Sequence, residues 1–367
     1  MSNKTCESDF LDYKEELLDD EKLLKQVSAF ANTHGGFLVF GIKESGKGGY
    51  PVSLFGIDRS VINKERMEQI VLSNVYPRLY IRTKIIEHDS DRVFLVLQIP
   101  DSYLKPHMNS RDNKYYRRHQ FEALPMTETE VGEAYRRRFT GYEKVENYIS
   151  EVLFLKKFLS PSIIGQIVVI PTTLNRMIDI SREEFDWINI LDLRPKIAGL
   201  TYVPSSPIPS TYGVKCEALS SSPRIFREKL EIHRNGCVHY LRNFGESISD
   251  RILFLYHVFC LKLLHTFQFA SSIYQRYNFF GDVKITCKLE FLGDSYLPRL
   301  NGTNRALEEY PCQTSEIQIS REVSTAMLET DHEYIASGIM DEISNNYGLW
   351  KCPLFDEKRK FKETIFS

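Results

Sequence analysis

The stretch 27–44, VSAFANTHGGFLVFGIKE, limits what this chain can fold into more than any other part of it. It reads as the end of an amphipathic helix, a glycine turn and a hydrophobic strand. Leu23, Leu24, Val27, Phe30 and Ala31 recur at helical spacing and give the helix one apolar face; Asp19 or Asp20 stands where a side chain caps the first turn. Gly35-Gly36 supplies the left-handed backbone that ends a helix. The run Phe37-Leu38-Val39-Phe40 has the length and composition of a strand buried on both faces, and it leads to Glu44 and a loop rich in glycine and lysine. A helix docked on such a strand requires a sheet.

The neighbouring segments supply one. Alternation over 10–14 predicts a short strand with Leu11 and Tyr13 on one side and Asp12 and Lys14 sharing an open face, while Glu7 needs a turn before it can join them. A second helix is expected over 63–75, and 80–86 and 93–99 form a hairpin about Asp89-Ser90-Asp91. The strand pattern resumes over 114–120. Thr127 and Glu130 make a capping box that opens a helix expected to end at Arg136-Arg137-Arg138, whose charges suit a helix C-terminus. The pattern changes at Thr140-Gly141, so the expected fold is α+β in two domains, 1–139 and 140–367, the first a mixed sheet with helices and the second α+β of unknown type. In the second, a helix over 145–159 closed by Pro161, strands over 164–170 and 283–291, an irregular proline loop over 204–210, a buried helix over 252–269 and a terminal helix or helix pair over 323–347 are expected. Asn235-Gly236 marks the clearest hairpin.

Composition decides several function classes. At 367 residues the chain is long for one core, which agrees with two domains. A net charge of −2 gives no global pull on nucleic acid, so any basic surface is local. Seven cysteines, odd in number and without a C-x-x-C pair, fit a reducing cytoplasm better than a disulfide framework or a structural zinc site. The first residues lack the apolar run of a signal peptide, and the longest apolar run, 252–264, is too short to span a bilayer. The expected protein is soluble and cytoplasmic.

Three pieces of the N-terminal part, Glu7-Ser8-Asp9-Phe10-Leu11-Asp12-Tyr13-Lys14, Ala29-Phe30-Ala31-Asn32-Thr33-His34-Gly35-Gly36 and Gly41-Ile42-Lys43-Glu44, stand in the order and spacing of the Schlafen AlbA-type domain, which this region resembles over roughly its first 140 residues. The resemblance implies a metal-dependent endoribonuclease acting on structured, tRNA-like RNA. Glu7, Asp12 and Glu44 would be the carboxylates that hold Mg²⁺ or Mn²⁺, and Lys14 would assist at the phosphate. Asp12 stands where the family commonly has Glu, and Glu44 where it commonly has Asp. Larger members close two such lobes into a clamp, so a homodimer is expected of a single lobe. A toxin or anti-phage role follows by analogy alone.

Other residues are candidates on their own chemistry. Lys105, His107, Arg111, Lys114, Tyr115, Tyr116, Arg117, Arg118 and His119 form a basic, aromatic segment; cationic groups pair with phosphates and Tyr stacks on unpaired bases, which makes Lys105, Lys114, Tyr115, Arg117 and Arg118 candidate RNA contacts. The competing reading is a solvated sheet face. Asn32 and Thr33 are expected to hold the turn rather than touch substrate. No phosphate-loop or dinucleotide fingerprint, no nucleophile elbow and no H-E-x-x-H occurs. His233, Cys237 and His239 look like metal ligands in linear order, but a two-residue Asn-Gly turn pairs His233 with Val238 and Ile232 with His239, which sends the histidines to opposite faces. The other function class kept open is a non-catalytic module of the same fold that binds nucleic acid or nucleotide.

Overall fold

Asp19 accepts the Lys22 backbone N–H at 2.8 Å and starts helix α1, Asp20–Asn32, whose Leu23, Leu24, Val27, Phe30 and Ala31 are all buried, as the spacing predicts. This computed structural model describes residues 5–45, 49–102, 104–119, 122–154, 163–172, 174, 208–219, 226–248, 251–277, 279–298 and 310–362. The chain divides into two compact units, residues 1–144 and 145–367.

In the first unit, β1 (Leu11–Lys14) lies parallel to β2 (Gly36–Phe40), and a short β3 (Ile42–Glu44) pairs with β4 (Pro51–Leu54). After β5 (Ile57–Asp58), helix α2 (Lys64–Asn74) begins on the Asn63 cap and buries Met67 and Val71. Then come β6 (Val75–Tyr76), β7 (Arg82–Glu87) and β8 (Arg92–Ile99), the last two joined by a turn in which Asp89 accepts the N–H groups of Asp91 and Arg92. β8 runs antiparallel to β2, β5 and β7, so the main sheet of five strands is mixed. A second sheet holds β6, β9 (Met108–Asn109), β10 (Lys114–His119) and β11 (Glu122–Pro125). The α1 face, α2 and the inner side of the main sheet enclose one apolar core.

Two local expectations differ. β2 is buried on one face only: Leu38 and Phe40 are in the core, while Phe37 is exposed. The glycine turn before it is obligatory, because Gly36 has φ +146° and a Cβ there would overlap the Phe10 carbonyl. The capping box of Thr127 and Glu130 forms as expected, at 2.8 Å from Thr127 N to Glu130 Oε2, but the helix it opens, α3 (Glu128–Phe154), does not stop at Arg136–Arg138. Those arginines sit within the helix, where Arg136 and Arg137 pair with Glu133 and Arg138 donates to the Leu104 carbonyl.

The second unit is an antiparallel sheet of seven strands in the order β13, β14, β15, β16, β12, β19, β20. These are β12 (Ile164–Pro171), β13 (Ile208–Pro209), β14 (Gly213–Leu219), β15 (Phe226–His233), β16 (Val238–Asn243), β19 (Asp282–Glu290) and β20 (Glu316–Ser324). β17 (Gly245–Ile248) and β18 (Arg251–Phe254) make a separate hairpin. One sheet face packs on α4 (Tyr256–Arg276), α5 (Thr325–Thr330) and α6 (His332–Asn345); the other buries Val168 and Ile170 against Val145, Ile149 and Val152 of α3. β12 is buried along its whole length because both faces are covered. The apolar run from 252 divides into a strand and then a helix, and a short strand at Ile208–Pro209 ends the proline segment, of which 204–207 lie outside the described residues, as does Pro161.

The hairpin at Asn235-Gly236 corrects the expected register. His233 N donates to Cys237 O at 2.8 Å, and the ladder pairs Ile232 with Val238 and Glu231 with His239. The loop therefore takes one residue more than a two-residue turn, with Gly236 at φ +85°. Because strand side chains alternate, that single residue moves His239 onto the face that carries Glu231 and His233.

Candidate functional site

β1 follows a tight bridge between Ser8 and Leu11, which turns Glu7 back over the strand. Glu7 N donates to Gly49 O at 2.8 Å, and Glu7 Oε1 accepts the Tyr13 N–H at 2.7 Å. This fixes a buried carboxyl beside Asp12. β1 lies parallel to β2, and the chain beyond β2 brings Glu44, at the end of β3, to the same place: Glu7 is a hydrogen-bonding neighbour of both Asp12 and Glu44. Burial first, then the contacts with Asp12 and Glu44, push the Glu7 carboxyl up to about 8, while the Tyr13 N–H pulls the other way.

Asp12 and Lys14 share a face, but it is not open. Asp12 is 1% exposed, with Lys14 Nζ on Oδ1 at 2.6 Å and Arg118 Nη1 on Oδ2 at 3.1 Å. Arg118 comes from β10, where alternation turns Tyr116 and Arg118 inward. Its guanidinium lies 4.3 Å from the centre of the Phe30 ring, and it also donates to Gln26 Oε1 and the Ser8 carbonyl. Its N–H binds Thr33 Oγ1 at 2.9 Å. Arg118, expected to hold an RNA backbone, is instead an internal partner of Asp12: a fully buried guanidinium has no surface on which to meet a phosphate.

The other predicted contacts divide. Lys114 and His119 are exposed. Arg117 is half-exposed and bonded to Glu130 Oε1 at 2.5 Å, and the Tyr115 hydroxyl meets that of Tyr135 at 3.0 Å. Lys105 spends its ammonium on Asp101 and the Thr33 carbonyl. His107 is buried, its Nδ1 on the Pro77 carbonyl at 2.8 Å, and burial lowers it to about 4, so it is a neutral interior imidazole and not a phosphate contact. Asn32 has the holding role expected of it: its amide bonds the His107 N–H, the His107 carbonyl and the Tyr116 carbonyl. Ala29, on the same helix, packs on Tyr116 and Ala123.

The sequence reading missed two features. Phe10 is exposed and stacks on His34 at 5.6 Å, an aromatic platform at the start of β1. And among the described residues, the donors drawn within 4.8 Å of one another are Glu231, His233 and His239 of the second unit, not the three N-terminal carboxylates.

By fold and site, the first unit is an α+β domain whose mixed sheet gathers acidic side chains from two separate segments next to a buried arginine. Residues 7–127, about a third of the chain, match the family model described as Schlafen, AlbA_2, which bears out the resemblance for the N-terminal part. The match ends just short of α3. No curated protein is matched. Among solved structures, a crystal structure of a Corynebacterium diphtheriae protein is 17% identical at a TM-score of 0.26 and covers 34% of this chain but only 23% of its own. The solution structure of the N-terminal domain of a RecG-related protein from Nitrosomonas europaea is 16% identical at a TM-score of 0.23, covering 32% of this chain and 81% of its own. Likeness at that level carries no functional argument. None of the seven cysteines is in a disulfide, and no helix among the described residues is long and apolar enough to cross a membrane.

Proposed function

We propose that the N-terminal domain is a divalent-cation-dependent endoribonuclease acting on structured, tRNA-like RNA, with Glu7, Asp12 and Glu44 as its metal ligands. The observation that carries this reading is the contact of one buried carboxyl, Glu7, with the other two, which together with its burial raises its proton affinity and gathers oxygen donors in one place. Hard donors of this kind fit Mg²⁺ or Mn²⁺. Such a cation, when bound, supplies an activated water and offsets charge on the scissile phosphate. The chain's own groups do the rest. Arg118 holds Asp12 in place; Lys14, a quarter exposed, is the cation beside Asp12 that can turn to a phosphate. Phe10 on His34 offers a stacking face to an unpaired base, and Lys114 at the start of β10 is an exposed cation that a phosphate can reach. A homodimer would set two such sites around one RNA, in keeping with a cytoplasmic toxin or anti-phage effector.

The test is incubation of the purified chain with total tRNA and Mn²⁺, with and without chelator, beside Glu7→Gln, Asp12→Asn and Glu44→Gln. Cleavage that needs the cation and is lost in the variants supports the reading. Cleavage that survives them, or binding with no cleavage, overturns it. A second reading, a non-catalytic nucleic-acid-binding module, is favoured by one observation: Asp12 is already neutralised by two cationic side chains. It expects RNA binding that is indifferent to Mn²⁺.

A further inference from the structure

On the α3 face of the seven-stranded sheet of the second unit, Glu231 and His233 of β15 and His239 of β16 turn toward one another, all buried. His239 Nδ1 lies 3.2 Å from Glu231 Oε2 and His233 Nε2 lies 3.6 Å from the same oxygen. The far side of each ring is engaged. His239 Nε2 faces Gln166 Oε1 at 3.2 Å, and His233 Nδ1 faces the Tyr148 hydroxyl at 2.6 Å. Gln166 directs its NH₂ to the Leu153 carbonyl and Glu290, so its oxygen is what His239 meets, and that oxygen requires a proton on Nε2. Nδ1 of His239 then faces the Glu231 carboxylate at 3.2 Å, where it donates from a doubly protonated ring or shares a cation with the carboxylate. His233 Nε2 is buried with no hydrogen-bond partner, since 3.6 Å is too long for one.

We propose that Glu231, His233 and His239 form a binding site for a divalent transition metal, Zn²⁺ by its donor set, unrelated to the N-terminal carboxylates. Two imidazole nitrogens and one carboxylate oxygen are a zinc donor set, and a tetrahedral ion with bonds of about 2.0–2.1 Å sets its ligand atoms roughly 3.3–3.4 Å apart. The spacings of 3.2 and 3.6 Å bracket that value. Gln166 and Tyr148 occupy the outer positions that orient ligating histidines. Lys229 pairs with the other oxygen of Glu231, leaving Oε2 for the ion. Tyr212 stacks on His233 at 5.2 Å and closes the site from the side.

The full chain, stripped with chelator and titrated with Co²⁺, is expected to develop the visible absorption of a tetrahedral ion, saturating at one ion per chain and displaced by Zn²⁺. Glu7→Gln with Asp12→Asn should leave that titration unchanged, and His233→Gln with His239→Gln should weaken it roughly 100-fold or more. Where the histidine variant does not fold, pulsed EPR of Cu²⁺ bound to the wild-type chain counts coordinated imidazoles, and two are expected. A spectrally silent Co²⁺ titration, binding that survives loss of both histidines, or fewer than two coupled imidazoles overturns the site. Loss of the Co²⁺ signal in the Glu7 and Asp12 variant would overturn its independence.

Discussion

Arg118 and Asp12, 106 residues apart in sequence, meet as a buried ion pair at 3.1 Å, with side-chain exposures of 0% and 1%. The pair joins β10 to β1 and places a guanidinium beside the acidic site. A buried pair adds little stability by itself, but loss of one member strands the other. Arg118→Ala leaves Asp12 with Lys14 alone, beside the carboxyl of Glu7. The expected outcome is a loss of about 3 to 5 kcal/mol in urea unfolding. Arg118→Lys should recover part of it, since a lysine reaches Asp12 but not also Gln26 and Ser8.

The acidic site also gives the chain a pH signature. Glu7 is held at about 8 against an ordinary 4.5, so the unfolded state releases its proton first and folding stability falls as pH rises from about 4.5 to about 8. His107 works the other way: held at about 4 against 6.5, it costs stability as pH falls through that window. Between 4.5 and 6.5 the two offset each other, and above 6.5 the Glu7 slope stands alone. In chelator, thermal unfolding of the wild-type chain should weaken from pH 6.5 to 8, by about 2 kcal/mol at most. Glu7→Gln should flatten that limb and leave the acid limb in place.

Asn32 is the hub between α1 and the second sheet of its unit. Its side chain satisfies one N–H and two carbonyls that have left regular pairing, those of His107 and Tyr116. Asn32→Ala strands the His107 N–H and the Tyr116 carbonyl, while the His107 carbonyl keeps the Ser28 hydroxyl at 2.9 Å, at an expected cost of about 1 to 3 kcal/mol. Asn32→Asp keeps the acceptor for the His107 N–H but sets a carboxylate against two carbonyl oxygens, so it should be no milder. Urea midpoints of the two variants check this.

Much of this architecture could be read before the coordinates, and the failures have identifiable causes. α1, its cap, the Gly35-Gly36 turn and the capping box at Thr127 are local, and local chemistry determined them. The end of α3 is not local: no proline follows Arg138 within the helix, and the roughly 1 kcal/mol that Gly141 costs there is offset by burial of Val145, Ile149 and Val152 further along. Burial of Arg118 was legible in principle, since alternation from Tyr116 places it inward, but a charge in the core needs a partner, and Asp12 is remote in sequence. The hairpin register turned on one residue of loop length. That residue separates histidines on opposite faces from histidines beside one glutamate.

The exchanged side-chain lengths at positions 12 and 44 yield a last test. Asp12 is enclosed, with Lys14 and Arg118 on its two oxygens, so Asp12→Glu must fit an extra methylene into a filled site and should cost about 1 to 3 kcal/mol. Glu44 is half-buried at the end of a short strand, so Glu44→Asp should fold with stability within about 0.5 kcal/mol of the wild type. Shortening Glu44 withdraws one of the carboxyls that raise Glu7, so the alkaline limb of the stability profile should shift to lower pH. Unfolding midpoints of both variants, followed from pH 6 to 9 in chelator, measure the two effects together. An unshifted limb in Glu44→Asp would mean that Glu44 does not act on Glu7, and the acidic site would then reduce to Glu7 and Asp12.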